Sequence, residues 1–418
     1  MRSSAREAAR LLSGVGCVAA LLLPTALPAQ AAPLSRVPAA DGKKGQELPG
    51  MPSAIDSDAP CTPASPEKAK KQDWSRQRLD LDRLHGYSTG AGVTVALIDT
   101  GVDTGAVGLD GRVTAEGTAG DDCVGHGTFL AGLIAGADGD GAGLTGVAPG
   151  AKILALRGTD QRGQASSALV VAAVRAAIEA DAEVIAVPVA LPRRDAELTR
   201  AVADARRAGA VVVAAATPDP PRGAAASDEI PARSYWPAAE PGVLSVADML
   251  PAGVRPDNAL RTSGVDLVAP GAGVVSGGPR GDGHYLGAGA SVATAYAAGA
   301  VAAVRAARPD DSADEVARRV TATAYPADIP QLDAYAAVTT VLGDSGAAGG
   351  AERAADPVTV RDTSGADRAT DRATLFVVLG TGGVLAVLWG AFALPKARAR
   401  GWRPARAGAA TPAAVEED

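Results

Sequence analysis

Histidine is scarce in this chain. Three occur in 418 residues, His85, His126 and His284, so any chemistry needing an imidazole must use one of them. Cysteine is equally rare, at Cys17, Cys61 and Cys123, and no third or fourth ligand stands at zinc spacing beside the last two. Positive charge is not in surplus: the formal net charge is −7, which gives no reason to expect a nucleic-acid partner. Internal repeats are absent. Asp138 and Asp140, in A-D-G-D-G-A-G, lack the glutamate that would close a calcium loop, so they read as a solvated turn. Nothing calls for a metal or a cofactor.

Two apolar runs frame the chain. Near the N-terminus Arg2, Arg6 and Arg10 precede an apolar stretch from Leu11 to Leu27, and Ala29-Gln30-Ala31 follows as an A-x-A cleavage site. Residues 1–31 thus read as a secretory signal, and Cys17 leaves with it. The second run, Thr374 to Leu394, holds 21 residues without a charge, enough to span a bilayer. Lys396, Arg398, Arg400, Arg403 and Arg406 follow, which puts the 395–418 tail in the cytoplasm and the body outside. Cys61 and Cys123 then share an oxidising compartment, where one disulfide is the simplest expectation; two free thiols or a metal pair are the alternatives.

Between these runs, 32–83 is an extension. Its first part, to about Lys71, is rich in Pro, Gly, Ser and charge without helical or strand period. Leucines at 79, 81 and 84 suggest a short helix or lead-in between Trp74 and Tyr87. The body, 84–342, alternates apolar strands with amphipathic helices. Strands are expected at Val93–Asp99, Lys152–Arg157, Glu183–Ala190, Ala210–Ala216 and Val243–Asp248. Helices are expected at Gly127–Ala137, Ser166–Ala180 and Ala196–Ala208, with a last one capped by Ser312 and Glu315. This alternation predicts an α/β fold, a doubly wound, mostly parallel sheet whose ligands lie outside the strands' carboxyl ends. Residues 343–373 turn polar and read as a structureless linker to the 374–394 span.

The stretch G-A-S-V-A-T-A-Y-A-A-G-A-V-A-A-V-R-A-A-R-P, 289–309, joins a glycine turn to a helix of nearly bare backbone that Pro309 stops. Ser291 at its head is either an N-cap or a nucleophile whose oxyanion the helix amides hold. The second reading needs a base and an acid. Asp99 ends a strand in V-T-V-A-L-I-D-T-G-V-D, where a turn-forming role is the alternative. His126 stands between glycines in G-H-G-T-F-L-A-G, where a structural histidine at a turn is the alternative. Asp, His and Ser in that order match one of the chain orders of the convergent triads. His85 and His284 are read as surface or loop residues.

At these residues the chain resembles the subtilisin-like serine proteases, whose motifs are D-[ST]-G, H-G-T and G-T-S-x-A. G-V-A-P-G-A-K-I-L-A-L-R at 146–157 and V-D-L-V-A-P-G at 265–271 extend the likeness over about 84–340. The signal, the single span, the cysteine in the extension and the basic tail resemble the mycosin branch, associated with type VII secretion. The resemblance implies acyl transfer on a protein or peptide substrate, with Ser291 attacking, His126 taking its proton and Asp99 orienting the imidazole. It implies the membrane and type VII secretion machinery as partners. For Cys123, three residues before His126, a redox handle is one role, but a Cys61–Cys123 bridge tethering the extension near the active-site edge is the more economical one. Asp99-Thr100-Gly101 as half of an aspartic protease would need Asp344-Ser345-Gly346 in the linker and leaves H-G-T unexplained. A chymotrypsin-like reading of Gly343-Asp344-Ser345-Gly346 conflicts with a parallel fold.

The pattern breaks in three places. The family's oxyanion asparagine ends a strand as A-A-G-N, but here V-V-V-A-A-A-T-P-D puts Thr217 and Pro218 at the Gly and Asn positions. Proline donates nothing, and losing that donor lowered turnover about 10²–10³-fold in a subtilisin. Ala290 and Ala295 replace Thr and Pro around the serine. In A-E-V-I-A-V-P-V-A, Pro188 and Ala190 replace a serine and a glycine on the strand that pairs with substrate, removing an amide donor. Two functions follow: a serine endopeptidase, slow or narrowly specific, or a catalytically impaired scaffold with a structural role in a membrane secretion complex.

Overall fold

The structure, a computed structural model, describes residues 47–138, 141, 143–219, 233–342 and 364–401, with backbone alone for 364–371. The signal segment, Cys17, Asp140, Asp344-Ser345-Gly346, Arg403 and Arg406 lie outside the described residues. The chain divides into two compact units, Met1–Leu342 and Gly343–Asp418.

In the first unit seven strands form one sheet. They are β1 (Thr94–Asp99), β2 (Val113–Ala115), β3 (Lys152–Arg157), β4 (Val184–Val187), β5 (Val211–Ala215), β6 (Leu244–Met249) and β7 (Leu267–Pro270), in the order β2-β3-β1-β4-β5-β6-β7. Every pairing is parallel. Strands β4 to β7 are wholly buried because helices cover both faces, which is why they read as unbroken apolar runs, whereas the edge strand β2 is largely exposed. Ala96, Ile98, Ile185 and Val187 meet α4 (Ser167–Glu179) and α5 (Ala196–Arg207) on one face. Val95, Leu97, Ala186 and Val213 face α3 (His126–Ala135) and α6 (Ala290–Ala307) on the other. The alternation along β1 is the two-residue period of a strand with a core on each side. It makes the sheet doubly wound.

α6 shows why small residues were needed. All its residues from Ala290 to Val304 are buried, and a Cβ on Gly299 would fall 2.7 Å from Val147 Cβ. A wider helix would not fit beneath the sheet. Two further helices follow α6, α7 (Ala313–Ala322), whose Ser312 and Glu315 form the expected capping box, and α8 (Ala334–Thr339).

Several boundaries differ from the sequence reading. The strand expected over Glu183–Ala190 ends at Val187, because Pro188 has no N–H to continue the ladder. Trp74–Tyr87 holds two helices, α1 (Trp74–Leu79) and α2 (Leu81–His85), hinged at Asp80 in the left-handed region, φ 47°. An antiparallel hairpin, β8 (Ala272–Gly277) with β9 (His284–Ala288), was not anticipated and delivers the chain to Gly289. His284 is not a surface residue: it is buried at the start of β9, and its Nδ1 accepts the Ala69 N–H at 2.9 Å. His85 is part-buried, its Nε2 against the carbonyls of Gly146 and Val147.

The hairpin is covered by the extension. Residues 47–71 contain no helix or named strand, yet they follow β9 closely. Met51 N–H donates to the Leu286 carbonyl at 2.7 Å, Leu286 N–H to Pro49 at 2.8 Å and His284 N–H to Glu67 at 2.7 Å. A disulfide joins Cys61 to Cys123, reinforced by Thr62 N–H to the Cys123 carbonyl at 2.9 Å. The extension is thus held by a backbone ladder as well as by the bridge.

The second unit contains α9 (Ser364–Ala399), so helix begins ten residues before Thr374, within the stretch expected to be structureless. Among the described residues two helices are long and apolar enough to cross a membrane. One is α6, which is core; the other is Arg372–Ala399, with mean hydropathy 2.1 and no buried residue in its most apolar window.

Candidate active site

Asp99, His126 and Ser291 lie far apart in sequence and meet at the carboxyl edge of the sheet. Asp99 is the last residue of β1, 1 % exposed. His126 is the first residue of α3, which enters so close to the β1 turn that a Cβ on Gly127 would fall 2.0 Å from the Gly101 carbonyl oxygen. Only glycine permits that approach. Ser291 is the second residue of α6, behind Gly289 at φ 127°. Its hydroxyl makes no helix cap, so the capping reading does not hold.

The side chains connect in line. His126 Nδ1 lies 2.8 Å from Asp99 Oδ1, and His126 Nε2 lies 3.1 Å from Ser291 Oγ. With Asp99 an acceptor, Nδ1 carries the proton and Nε2 faces the serine. The Thr100 N–H also donates to Asp99 Oδ1, at 2.8 Å, and holds the carboxylate in place.

A second buried carboxylate fixes the histidine turn. Asp122, 2 % exposed, accepts Gly125 N–H at 2.7 Å and Thr100 Oγ1 at 2.9 Å on one oxygen. It accepts Thr128 N–H at 2.9 Å and Thr128 Oγ1 at 2.7 Å on the other. Thr100 Oγ1 in turn accepts Gly127 N–H at 2.9 Å, so the backbone around His126 is tied to the Asp99 loop. Burial pushes Asp122 above the usual carboxylate range, and the hydrogen bonds from Thr128, Gly125 and Thr100 oppose it. An acidic residue four positions before H-G-T was the only signal for it in the sequence.

The residue that sequence reasoning missed is Asp219. Thr217 is buried and Pro218 lines the cleft beside Asp99, His126 and Pro188, but the chain continues one residue further and turns a carboxylate onto the serine. Asp219 Oδ2 accepts the Ser291 hydroxyl at 2.6 Å and Oδ1 accepts the Ser291 N–H at 3.0 Å. Oδ2 is also 3.5 Å from His126 Nε2. Burial pulls His126 down, but the Asp99 charge, the hydrogen bonds to Asp219 and Asp99 and the Asp219 charge outweigh it, pushing His126 up to about 10. The imidazole lies between two carboxylates.

The cleft onto which His126 and Asp219 open has a volume of about 720 Å³. Phe129, Val292 and Leu286 form part of its apolar lining, and Met51 to Ala54 of the extension form part of its wall. Ile55 N–H then donates to the Arg162 carbonyl at 3.0 Å, carrying the extension past the cleft mouth. No cluster of His, Cys, Asp and Glu suited to a metal occurs among the described residues.

A buried acid–imidazole–serine line at the carboxyl edge of a parallel sheet defines a serine hydrolase class, and the family model for subtilases, Peptidase S8, matches residues 90–370. The chain belongs to the subtilase family and is a serine endopeptidase of subtilisin-like fold. Within that family its similarity runs to the mycosins. Mycosin-3 of Mycobacterium tuberculosis is 30 % identical over 354 residues, covering 68 % of this chain and 76 % of the relative. The crystal structure of MycP1 from Mycobacterium smegmatis superposes with TM-score 0.58 at 27 % identity, covering 72 % of this chain and 93 % of that one. The MycP3 protease from the type VII (ESX-3) secretion system superposes with TM-score 0.58 at 28 % identity, covering 71 % and 98 %.

Proposed function

We propose that this protein is a membrane-anchored serine endopeptidase that cuts protein substrates outside the cytoplasm, with Asp99, His126 and Ser291 as its triad. The observation that carries the reading is the unbroken line from Asp99 Oδ1 through His126 to Ser291 Oγ, at 2.8 and 3.1 Å. Ser291 Oγ attacks the scissile carbonyl, neutral His126 takes its proton at Nε2 and returns it to the leaving amine, and Asp99 orients the ring. Ser291 N–H, at the head of α6, is the backbone donor to the oxyanion. The apolar helix Arg372–Ala399 is the anchor, and the basic residues that follow Leu394 keep the tail inside. Its likeness to the mycosins makes type VII secretion its setting.

A fluorophosphonate probe applied to the full-length protein tests the assignment. The wild type should label at Ser291 and Ser291→Ala should not; a folded wild type that never labels sinks it. A second reading, the impaired scaffold, is favoured by one observation: the Asp219 carboxylate on the serine hydroxyl and N–H. If Ser291→Ala, at unchanged abundance, abolishes secretion or processing, the purely structural role fails.

A further inference from the structure

Acyl transfer puts a negative charge on the substrate's carbonyl oxygen beside the Ser291 N–H, and in this protein a carboxyl group already occupies that position. The seat is built for it. A Cβ on Gly289 would lie 2.0 Å from Asp219 Oδ1, so the space beside the helix terminus exists because residue 289 has no side chain. The Asp219 side chain is only 10 % exposed. An ionised carboxylate there opposes the reaction twice, since it holds the Ser291 donor and repels the developing oxyanion. A carboxyl kept neutral does the opposite and donates its O–H to an oxyanion, chemistry that enzymes use elsewhere.

Resting on the triad assigned above, we infer that Asp219 is a catalytic residue, the second oxyanion donor, and that turnover requires a proton on its carboxyl. That proton is shared with His126, whose Nε2 lies 3.5 Å away. One proton on the pair can sit on His126, leaving Asp219 ionised, or on Asp219, leaving His126 neutral. Only the second arrangement has both a base and a donor. The other charged groups facing the pair are Asp99 behind His126 on β1 and Asp248 on β6, whose charge and that of Asp219 oppose one another. Arg255, 3.7 Å from Asp248, stands on that side as a cation.

The step balances without another reactant. The Oγ–C bond forms as the carbonyl π pair moves to oxygen, and the hydroxyl proton passes to His126 Nε2. Asp219 turns its O–H from the serine to the new oxyanion and keeps its proton. The C–N bond breaks as the carbonyl re-forms, and His126 protonates the amine. Water then repeats the sequence on the acyl group, with Oγ recovering its proton from His126.

The test is the rate of fluorophosphonate labelling of the full-length protein against pH, for wild type, Asp219→Asn and Asp219→Ala. Wild type should give a bell, falling on the alkaline side as the pair loses its last proton. Asp219→Asn keeps a donor without a titration, so its rate should rise to an alkaline plateau at least about 10-fold above the wild-type maximum, and about 10²–10³ above Asp219→Ala. Circular dichroism taken at each pH restricts the comparison to the range in which wild type and Asp219→Asn are both folded. A wild-type rate with an alkaline plateau, or Asp219→Asn no faster than Asp219→Ala, overturns this role and leaves the triad standing. If the folded wild type labels at Ser291 at no pH, the triad reading falls and this one with it.

Discussion

Replacing Asp122 by asparagine should loosen the histidine turn, and the structure sets the size of the effect. The carboxylate takes four hydrogen bonds, from Gly125 N–H, Thr100 Oγ1, Thr128 N–H and Thr128 Oγ1. An amide oxygen can accept two of them, while the NH2 group faces the other two donors. A threonine hydroxyl can turn and accept; a backbone N–H cannot. Whichever way the amide sits, one backbone N–H beside His126 is left buried and unpaired, at about 1–3 kcal/mol. Loss of charge on the surviving bonds adds about 1 kcal/mol, and relief from burying a charge offsets part of it. The net destabilisation is about 2–3 kcal/mol, or about 3–5 °C in melting temperature for a domain of this size. Melting should be measured in a Ser291→Ala background, which cannot digest itself. In the active protein the fluorophosphonate rate should fall at least about 10-fold, because the displaced N–H groups flank the imidazole. A variant that melts within about 1 °C of its parent and labels at the parental rate would refute the clamp.

Two more outcomes follow from the same geometry. Cys61→Ser with Cys123→Ser opens a link between residues 62 apart, which should cost about 4 kcal/mol through the unfolded chain's regained freedom, read as a lower melting temperature; an unchanged melt would mean the β9 ladder alone holds the extension. His126 is raised from 6.5 to about 10, so its contribution to stability is complete below about 6.5 and is lost as pH rises through about 10. Denaturant titrations of Ser291→Ala should show that alkaline loss, and adding Asp219→Asn should shrink it; equal losses in both would show that Asp219 does not raise the histidine.

The sheet, and the motifs whose Asp99, His126 and Ser291 the structure brings together, were legible because their signals are local. An apolar run such as V-T-V-A-L-I-D, short, β-branched and followed by turn residues, fits a strand buried on both faces, and D-T-G and H-G-T carry their own turns. What was not legible depends on contacts between distant segments. His284 reads as a loop residue until the extension is laid along β9, and no periodicity in 47–71 announces a segment whose hydrogen bonds go to another strand. Asp219 is the sharper case. A motif compared position by position puts Pro218 at the donor site, and a proline there signifies only loss. The next residue reaches the serine, and Gly289 leaves it the space.

That substitution changes the kind of site, not only its strength. An asparagine is a neutral donor at every pH, and the histidine beside it is influenced by one carboxylate. Asp219 is a donor only when protonated, and in its charged form it attracts the proton that His126 must lack to act as base. The base and the oxyanion donor therefore compete for one proton, and the productive arrangement is the less favoured one, since the His126 cation is stabilised from both sides by Asp99 and Asp219. Electrostatics alone then predicts a low resting rate from an intact triad. Whatever moves the shared proton from His126 to Asp219 would raise the rate without moving Asp99, His126 or Ser291. Weak peptidase activity is therefore compatible with an unbroken Asp99–His126–Ser291 line.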